Sequence, residues 1–404
     1  MPSQSHGHVF LVVALCLVAL FLLLRIQHNE DSHSAFPFSK QYSRTSRGLS
    51  NAIGNDTLGF QKIFVINAPW RTDRKDSISI AASYSGLSLD WVDGVAAENI
   101  LEKAYPPGNH RTISDGNKGS WRAHMNALRA IIQQNLTTGL ILEDDADWDF
   151  RLRSQLEDFS VGARMLPNLI TQAELHSRSK KPPQLMDDQR LSQFELAKRS
   201  SLAISSPSSR NIPKAEPYGR DWNILWLGHC GAELSPLSPN APNRIAIMND
   251  KTVPEPQYLK PMPLASLDKI SSVYPPHTRI IHRTNSTLCS IAYAVTQTGA
   301  RRLLYEFGIR EFNKGYDFAL SDYCNGLTRG ATQETMPLCI TVQPPIFSHH
   351  FPERMKSDIT GHTAGFVPAV ETRYVRWSVR MNLERLVKGE DGVEEQWPDT
   401  KMET

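Results

Sequence analysis

Residues 140–149 read LILEDDADWD, an apolar run that passes without a break into an acidic cluster. Unbroken apolar runs of this kind are typical of strands buried in a parallel sheet. Because open α/β sheets bind their ligands beyond the carboxyl ends of their strands, residues 143–147 are predicted to lie at a binding edge. The stretch therefore indicates an α/β fold with a ligand site built around carboxylates.

The sequence before this strand alternates between strand and helix patterns. Residues 62–67, KIFVIN, predict a buried strand, and a short helix is predicted near residues 77–85. Residues 89–92 predict a second strand, which ends at Asp93. Ser120 can cap a helix whose apolar residues fall on one face. This order predicts a Rossmann-like sheet that binds a nucleotide.

Downstream, regular patterns are separated by irregular segments. Residues 222–228 and 291–295 predict strands, and residues 298–307 predict a helix. Residues 165–216 and 235–268 are rich in serine and proline and have no sustained period. We interpret these two segments as loop insertions in a single domain.

Composition excludes several classes of protein. The chain has 404 residues, of which 44 are basic and 42 acidic, for a net charge of +2. This balance excludes a broad basic surface, so no nucleic-acid partner is predicted. The five cysteines form no Cys-x-x-Cys pair of the zinc-binding type. Beyond the apolar amino-terminal run, free thiols and three disulfide pairings stay open for Cys230, Cys289, Cys324 and Cys339.

The amino-terminal residues predict a membrane anchor. Residues 9–24 are uniformly apolar, and as a helix with about 1.5 Å per residue they would span about 24 Å. A cleaved signal peptide is the alternative, but no small-residue cleavage site follows promptly. The predicted regions are a cytosolic tail at 1–8, a signal-anchor at 9–26, a stem at 27–59, a catalytic domain at 60–388 and a flexible tail at 389–404.

Three Asn-x-Ser/Thr sequons favour a lumenal folded body. They lie at Asn55, Asn135 and Asn285. A single sequon is a common chance pattern, but acceptors for N-glycosylation behind an apolar anchor indicate the secretory pathway.

The acidic cluster suits a hard divalent cation. Mg²⁺ and Mn²⁺ prefer carboxylate oxygens, and a diphosphate that shares the ion supplies further oxygens. A calcium-binding EF-hand loop starting at Asp145 would need Gly at its sixth position and Glu at its twelfth, where the chain has Phe150 and Leu156. A solvated acidic turn without a metal is the remaining alternative.

Several segments, in order, resemble glycosyltransferase family 25, which includes lipopolysaccharide glycosyltransferases and collagen galactosyltransferases. The segments are FVINAPWRTDRKDS at 64–77, GSWRAHMNALRAII at 119–132, LILEDDADWD at 140–149, DWNILWLGHCG at 221–231, AYAVTQTGARRLL at 292–304, YDFALSDYC at 316–324 and PPIFSHH at 344–350. The later segments resemble the form found in fungal members. The resemblance implies a GT-A type fold, a UDP-sugar donor and inversion at the anomeric carbon.

The resemblance also implies roles for individual residues. Asp145 is the first candidate for a metal ligand, and Glu143 or Asp144 would hold the donor ribose, with Glu143 as a further candidate ligand. An inverting transfer needs a carboxylate that accepts the proton of the acceptor hydroxyl. Asp317 is the first candidate for this base and Asp322 the second, although a helix-capping role suits Asp322 better. The late histidines expected near the metal are His349 and His350.

Further donor contacts are predicted around the first strand and near the carboxyl end. These residues are Asn67, Arg71, Asp73, Arg74, Asp93, Lys356 and Ser357. A cation beside a carboxylate, as at residues 71–74, suits the phosphate and ribose of a nucleotide. An Arg–Asp pair that only fixes the turn is the alternative. His124 is interpreted as a structural histidine, and Cys230 as a packing or disulfide residue.

The leading functional hypothesis is an inverting, Mn²⁺-dependent transferase that moves a hexose from a UDP-sugar to a glycan or glycoprotein. Galactose is favoured by family analogy and glucose stays open. The anchor and stem resemble the type II layout of Golgi transferases, which predicts a single-pass protein of the Golgi or endoplasmic reticulum membrane with a lumenal catalytic domain. A catalytically silent, glycan-binding relative is the alternative. A two-metal phosphodiesterase would need more His/Asp pairs than the sequence offers.

Overall fold

The structure, a computed structural model, describes residues 52–179, 192–205, 213, 215–238, 241–260, 270–332, 334–352 and 370–400. The anchor predicted at 9–26 and the donor contacts predicted at Lys356 and Ser357 lie outside the described residues. Among the helices that the structure describes, none combines the length and the apolar character needed to cross a bilayer.

A mixed sheet forms the centre of the described residues. Its strands are β1 Lys62–Asn67, β2 Asp90–Asp93, β3 Thr138–Glu143, β4 Ala146–Trp148, β5 Ser201–Ser205, β6 Ile224–Gly228, β7 Arg244–Met248, β8 Arg279–Arg283, β9 Ala292–Thr296, β10 Cys339–Gln343, β11 Phe347–Phe351 and β12 Glu371–Thr372. The main order is β2-β1-β3-β9-β6-β10-β8-β7-β5. Within it β9 and β8 run against the other strands.

Helices cover the sheet. They are α1 Thr72–Ser85, α2 Asp115–Gln133, α3 Leu152–Ser179, α4 Gln193–Arg199, α5 Ile270–Val273, α6 Gln297–Tyr305, α7 Tyr316–Cys324 and α8 Leu383–Lys388. Single 3₁₀ turns occur at Ala97–Asn99, Glu102–Ala104, His110–Thr112, Pro256–Tyr258 and Arg380–Asn382, and a π turn at Glu306–Arg310. The main core lies where α2, α6 and α7 pack on the sheet, with Trp121, Met125 and Trp226 fully buried. The α/β class predicted from the sequence is confirmed, and the sheet is consistent with a Rossmann-like GT-A fold.

The predicted strands around the acidic cluster are confirmed, whereas helix boundaries shift. The helix α1 begins at Thr72, so the polar residues 72–76 form its first turn instead of a loop. Asp73 in that turn carries a charge that a helix amino terminus favours. The helix α2 begins at Asp115 after Ser114, so Ser120 lies inside it and is not its cap.

The prediction that residues 165–216 form a loop is wrong for much of that segment. The helix α3 continues to Ser179 through Pro167, and α4 and β5 follow. Its buried residues Phe159, Ala163 and Leu166 keep helical spacing, which the many serines and prolines of the segment obscured. The second predicted loop, 235–268, contains β7, which pairs with β5 and β8 in the sheet.

The described ends of the domain are also more ordered than predicted. In the part of the predicted stem that is described, the Leu58 carbonyl accepts a hydrogen bond from the Tyr218 hydroxyl at 2.7 Å. In the predicted flexible tail, Gln396 donates to the Thr372 carbonyl at 2.6 Å, and Asp399 lies 2.8 Å from Arg376. Both segments therefore belong to the folded domain as far as they are described.

Two disulfides settle the pairing that the sequence left open. Cys230 pairs with Cys289, and Cys324 pairs with Cys339. The first joins the chain just after β6 to the chain before β9, and the second joins the end of α7 to the start of β10. The neighbouring residue His229 is buried, and its Nε2 lies 2.9 Å from the Val342 carbonyl oxygen.

The packing of α3 on the sheet can be tested at Gly162. A Cβ atom at this position would collide with the Cδ1 atom of Ile281 on β8. We expect Gly162→Leu to lower the free energy of unfolding by about 1–3 kcal/mol through overpacking, measured by urea denaturation. The control is Ser154→Leu, on the exposed side of the same helix. Equal stability of the two variants would contradict this packing.

Candidate functional site

The acidic turn, which we define as Glu143, Asp144 and Asp145, lies at the carboxyl end of β3. Glu143 is the last residue of that strand, and the two aspartates turn the chain into β4. The side chains of both aspartates face the first turn of α1, and both residues are buried, with 6% of Asp144 and 8% of Asp145 exposed. Carboxylates at such depth need compensating partners, because burying an unpaired charge is costly.

Asp145 has one occupied oxygen and one open oxygen. Its Oδ2 atom accepts a hydrogen bond from Arg74 Nη1 at 2.8 Å and lies 2.9 Å from His349 Nε2. Its Oδ1 atom is buried and has no hydrogen-bond partner in the part of the chain that the structure describes. Burial acts to raise the pKa of Asp145, but His349 and Arg74 outweigh burial and hold that pKa below its usual range.

Asp144 is held on both sides by nitrogen donors. Its Oδ1 atom accepts from Arg74 Nη1 at 2.9 Å, and its Oδ2 atom accepts from the Asn67 amide at 2.8 Å. Burial and the neighbouring charge of Asp145 raise the pKa of Asp144 despite these bonds. The predicted donor-site residues Asn67 and Arg74 are therefore joined directly to the acidic turn.

Arg380 is a further cation at the acidic turn that the sequence analysis missed. Its Nη2 atom donates to the Asp144 carbonyl at 2.5 Å, and the residue is only 6% exposed. The neighbouring Asp147 is fully buried and accepts from the Arg380 backbone amide at 3.1 Å and from the Thr372 hydroxyl at 2.7 Å. Arg380 lies 236 residues from Asp144 in the chain, and no local pattern marks it.

The two late histidines point in different directions. Successive residues of a strand face opposite sides, and on β11 only the His349 ring reaches Asp145. The His350 Nδ1 atom lies within hydrogen-bond distance of the Thr372 hydroxyl, at 2.9 Å, and burial lowers the pKa of His350 to about 4. The structure therefore places His349 as predicted but turns His350 away from the predicted metal position, because the strand period allows only one of the pair to face the acidic turn.

Glu143 belongs to a buried polar network. Its Oε1 atom accepts from the Ser290 hydroxyl at 2.6 Å and lies 3.5 Å from His124 Nε2. His124 stacks on Tyr316, with 4.1 Å between ring centroids, and contacts the Tyr293 hydroxyl at 3.1 Å. His124 is thus a structural histidine, as interpreted from the sequence, and it also positions Glu143.

Asp317 lies near Glu143, whereas Asp322 does not join the site. Asp317 lies in the first turn of α7, and its carboxylate accepts from the Cys289 amide at 3.2 Å and from the Phe318 amide at 2.9 Å. Burial raises the pKa of Asp317, and the charge of Glu143 adds to this effect. Asp322 forms an ion pair with Lys314, which is half-exposed, so the structure does not bring the second candidate base to the acidic turn.

Arg71 and Asp73 form the local pair that was the alternative interpretation of the first turn. Arg71 Nε and Nη2 donate to the two carboxylate oxygens of Asp73 at 2.9 Å and 2.8 Å. The hydrogen bond from Arg71 lowers the pKa of Asp73. Asp93 is exposed at the carboxyl end of β2, so these residues line the same sheet edge as the acidic turn.

The residues at the acidic turn fit a divalent cation. Metal–ligand bonds of about 2.1 Å place neighbouring ligand atoms about 3 Å apart, and Asp145 and His349 match this with a separation of 2.9 Å. Oδ1 of Asp145, which has no hydrogen-bond partner among the described residues, is a further candidate ligand atom. A different group, Glu255, His277 and Asp399, brings three donor atoms within 4.8 Å of one another, but it is more exposed and bonds the carboxyl-terminal tail.

Comparisons with known proteins agree with the ordered motifs. Residues 60–199 match the family model described as glycosyltransferase family 25 (LPS biosynthesis protein). Procollagen galactosyltransferase 1-B of Xenopus laevis is 25% identical over 41% of this chain and 30% of its own length.

Two further relatives have similar identities over shorter parts of this chain. Inactive glycosyltransferase 25 family member 3 of Homo sapiens is 28% identical over 25% of this chain and 19% of its own. Procollagen galactosyltransferase 2 of Mus musculus is 26% identical over 25% of this chain and 18% of its own. The matching parts thus span less than a third of these relatives. The region with the acidic turn, residues 60–199, is therefore similar to glycosyltransferase family 25.

Proposed function

We propose that this protein is a metal-dependent, inverting glycosyltransferase that moves a hexose from a UDP-sugar to a hydroxyl group of a glycan or glycoprotein. The observation that carries the proposal is the pair formed by Asp145 and His349. The second Asp145 oxygen is buried and has no hydrogen-bond partner among the described residues. The pair lies at the carboxyl end of a sheet strand, where α/β folds bind nucleotides.

In this proposal Arg74 and Asn67 bind the donor diphosphate. Arg74 lies in the first turn of α1, where the helix dipole favours an anion. Its guanidinium group contacts both aspartates of the acidic turn, so a phosphate oxygen that enters would meet a cation already fixed in direction. A bound Mn²⁺ ion would supply Lewis-acid stabilisation of the leaving UDP.

Asp317 suits the role of general base. The raised pKa of its carboxyl group makes it a better proton acceptor than an ordinary aspartate. Its two backbone hydrogen bonds fix the direction of the carboxylate while Glu143 lies nearby on β3. In an inverting transfer this carboxylate would take the proton of the acceptor hydroxyl as that oxygen attacks the anomeric carbon.

The names of the relatives favour a donor sugar, and the disulfides favour a compartment. Galactose is favoured because two relatives are named procollagen galactosyltransferases, and UDP-glucose is the next donor to test. Two disulfides are typical of the secretory pathway, since reducing compartments disfavour them. We therefore retain a Golgi or endoplasmic reticulum location with a type II anchor at 9–26.

A catalytically silent relative is the second candidate. It is favoured by one observation, that a similar human protein is named an inactive member of the family. A panel of UDP-sugars, assayed with Mn²⁺ for hydrolysis and for transfer to an acceptor array, separates the candidates. Sugar-nucleotide binding with no turnover of any donor would favour the silent relative.

The metal-ligand role of Asp145 gives the first prediction for activity. Asp145→Asn keeps the shape of the side chain but removes its charge, and we expect transfer (kcat/KM) to fall at least about hundredfold because cation binding is weakened. Asp115→Asn is the control, since the Asp115 side chain is 80% exposed on α2. Full activity of a folded Asp145→Asn variant would refute the role.

The helix α7 offers a matched pair for the base. We expect Asp317→Asn to lower kcat by about 10²–10⁴ with little change in the KM of the donor, because it removes the proton acceptor. Asp322→Asn, five residues further along the same helix, should stay within about twofold of wild type since it breaks only an exposed ion pair. Steady-state kinetics that rank Asp322 above Asp317 would reverse the assignment.

A further inference from the structure

Residues 288–291, which we call the bridging segment, bond the carboxylates of both Glu143 and Asp317. The segment precedes β9 and runs beside the chain that follows β6. At its start, Leu288 accepts from the Cys230 amide at 2.9 Å and donates to the Gly231 carbonyl at 3.1 Å. The bridging segment is thus paired with the chain just after β6 before it reaches Glu143 and Asp317.

The second half of the bridging segment holds Glu143. The Ser290 hydroxyl donates to the Glu143 carboxylate at 2.6 Å. The Ile291 carbonyl accepts from the Glu143 backbone amide at 2.9 Å. Side chain and backbone of this strand-end glutamate are therefore both fixed by two consecutive residues.

Cys289 is held from three sides, and its amide in turn holds Asp317. Its sulfur is bonded to Cys230, and its carbonyl accepts from the Trp226 indole at 2.9 Å. Its amide donates to Asp317 Oδ2 at 3.2 Å. Cys289 has a φ of +64°, a left-handed conformation that costs a non-glycine residue energy and persists only when its surroundings enforce it.

We propose that the Cys230–Cys289 disulfide is a positioning element of the active site, which fixes the Cys289 amide so that the Asp317 carboxylate is held in place for proton transfer. The inference rests on the proposed function of Asp317 as the base. Without the covalent tie, the strained conformation of Cys289 loses a constraint, and the amide can turn away from Asp317. A small displacement of a reacting group costs rate more than it costs binding.

The second disulfide provides a matched control. Cys324, the last residue of α7, forms the other disulfide with Cys339, and Asp317 lies in the first turn of the same helix, so both disulfides restrain the surroundings of one helix. In the described contacts neither Cys324 nor Cys339 donates a hydrogen bond to a carboxylate of the site. A general loss of rigidity would follow from removal of either disulfide, whereas a loss of positioning should follow only from removal of Cys230–Cys289.

The first test is a double-mutant cycle with the folded, full-length protein. We expect Cys230→Ala with Cys289→Ala to lower kcat at least about tenfold and to leave the KM of the UDP-sugar within about twofold. In an Asp317→Asn background the same pair should have no further effect on kcat, because the group that it positions is already absent. Cys324→Ala with Cys339→Ala should lower the melting temperature but not kcat. An equal fractional loss of kcat in both backgrounds would overturn the proposal.

The second test does not need activity. Carbodiimide labelling of carboxyl groups, read by mass spectrometry, should modify Asp317 several-fold faster after removal of Cys230–Cys289 and at an unchanged rate after removal of Cys324–Cys339. If the double alanine variant does not fold, a phosphine reductant added to the Cys324→Ala, Cys339→Ala protein opens the Cys230–Cys289 bond in the native state. Unchanged labelling of Asp317 would overturn the positioning role, while faster labelling in a protein that transfers no sugar would refute only the proposed function.

Discussion

The contact of the Asp145 carboxylate with Arg74 and His349 is the interaction on which the site depends. It joins the first turn of α1, the turn after β3 and the strand β11 at one buried point. Two adjacent carboxylates at this depth would repel each other and lose hydration, so cations must face them. Arg74 bonds both carboxylates, and Arg380 adds its charge nearby through the Asp144 carbonyl. Among the residues that the structure describes, Oδ1 of Asp145 still has no hydrogen-bond partner.

Two other parts of the chain hold the acidic turn and its surroundings in place. The described carboxyl-terminal residues 370–400 do not trail from the domain but pack beneath the acidic turn, where Thr372 and Arg380 bond the fully buried Asp147. The bridging segment bonds both Glu143 and Asp317. In the proposed function, the Asp145 side would bind the charged donor and the Asp317 side would accept the proton.

Local patterns predicted the elements that carry the site, and long-range contacts escaped them. The run LIL before EDD indicated β3 and its binding edge, because a short buried strand leaves a clear apolar signal. Strand periodicity implies that His349 and His350 face opposite sides, but it does not say which one faces Asp145. Arg380 could not be predicted, since its contact with Asp144 spans 236 residues. The length of α3 could not be predicted, because the serine-rich and proline-rich composition after residue 165 hides the helical spacing of Phe159, Ala163 and Leu166.

The central claim is that the acidic turn binds a divalent cation and the donor diphosphate together. Calorimetric titration of UDP into the wild-type protein, with Mn²⁺ and then with a chelator, tests it most directly. Because coupling between two ligands is reciprocal, we expect Mn²⁺ to tighten UDP binding at least about tenfold, and UDP to tighten Mn²⁺ binding equally. A cation held only at Glu255, His277 and Asp399 would show no such coupling. Equal affinity for UDP with and without Mn²⁺ would contradict the account.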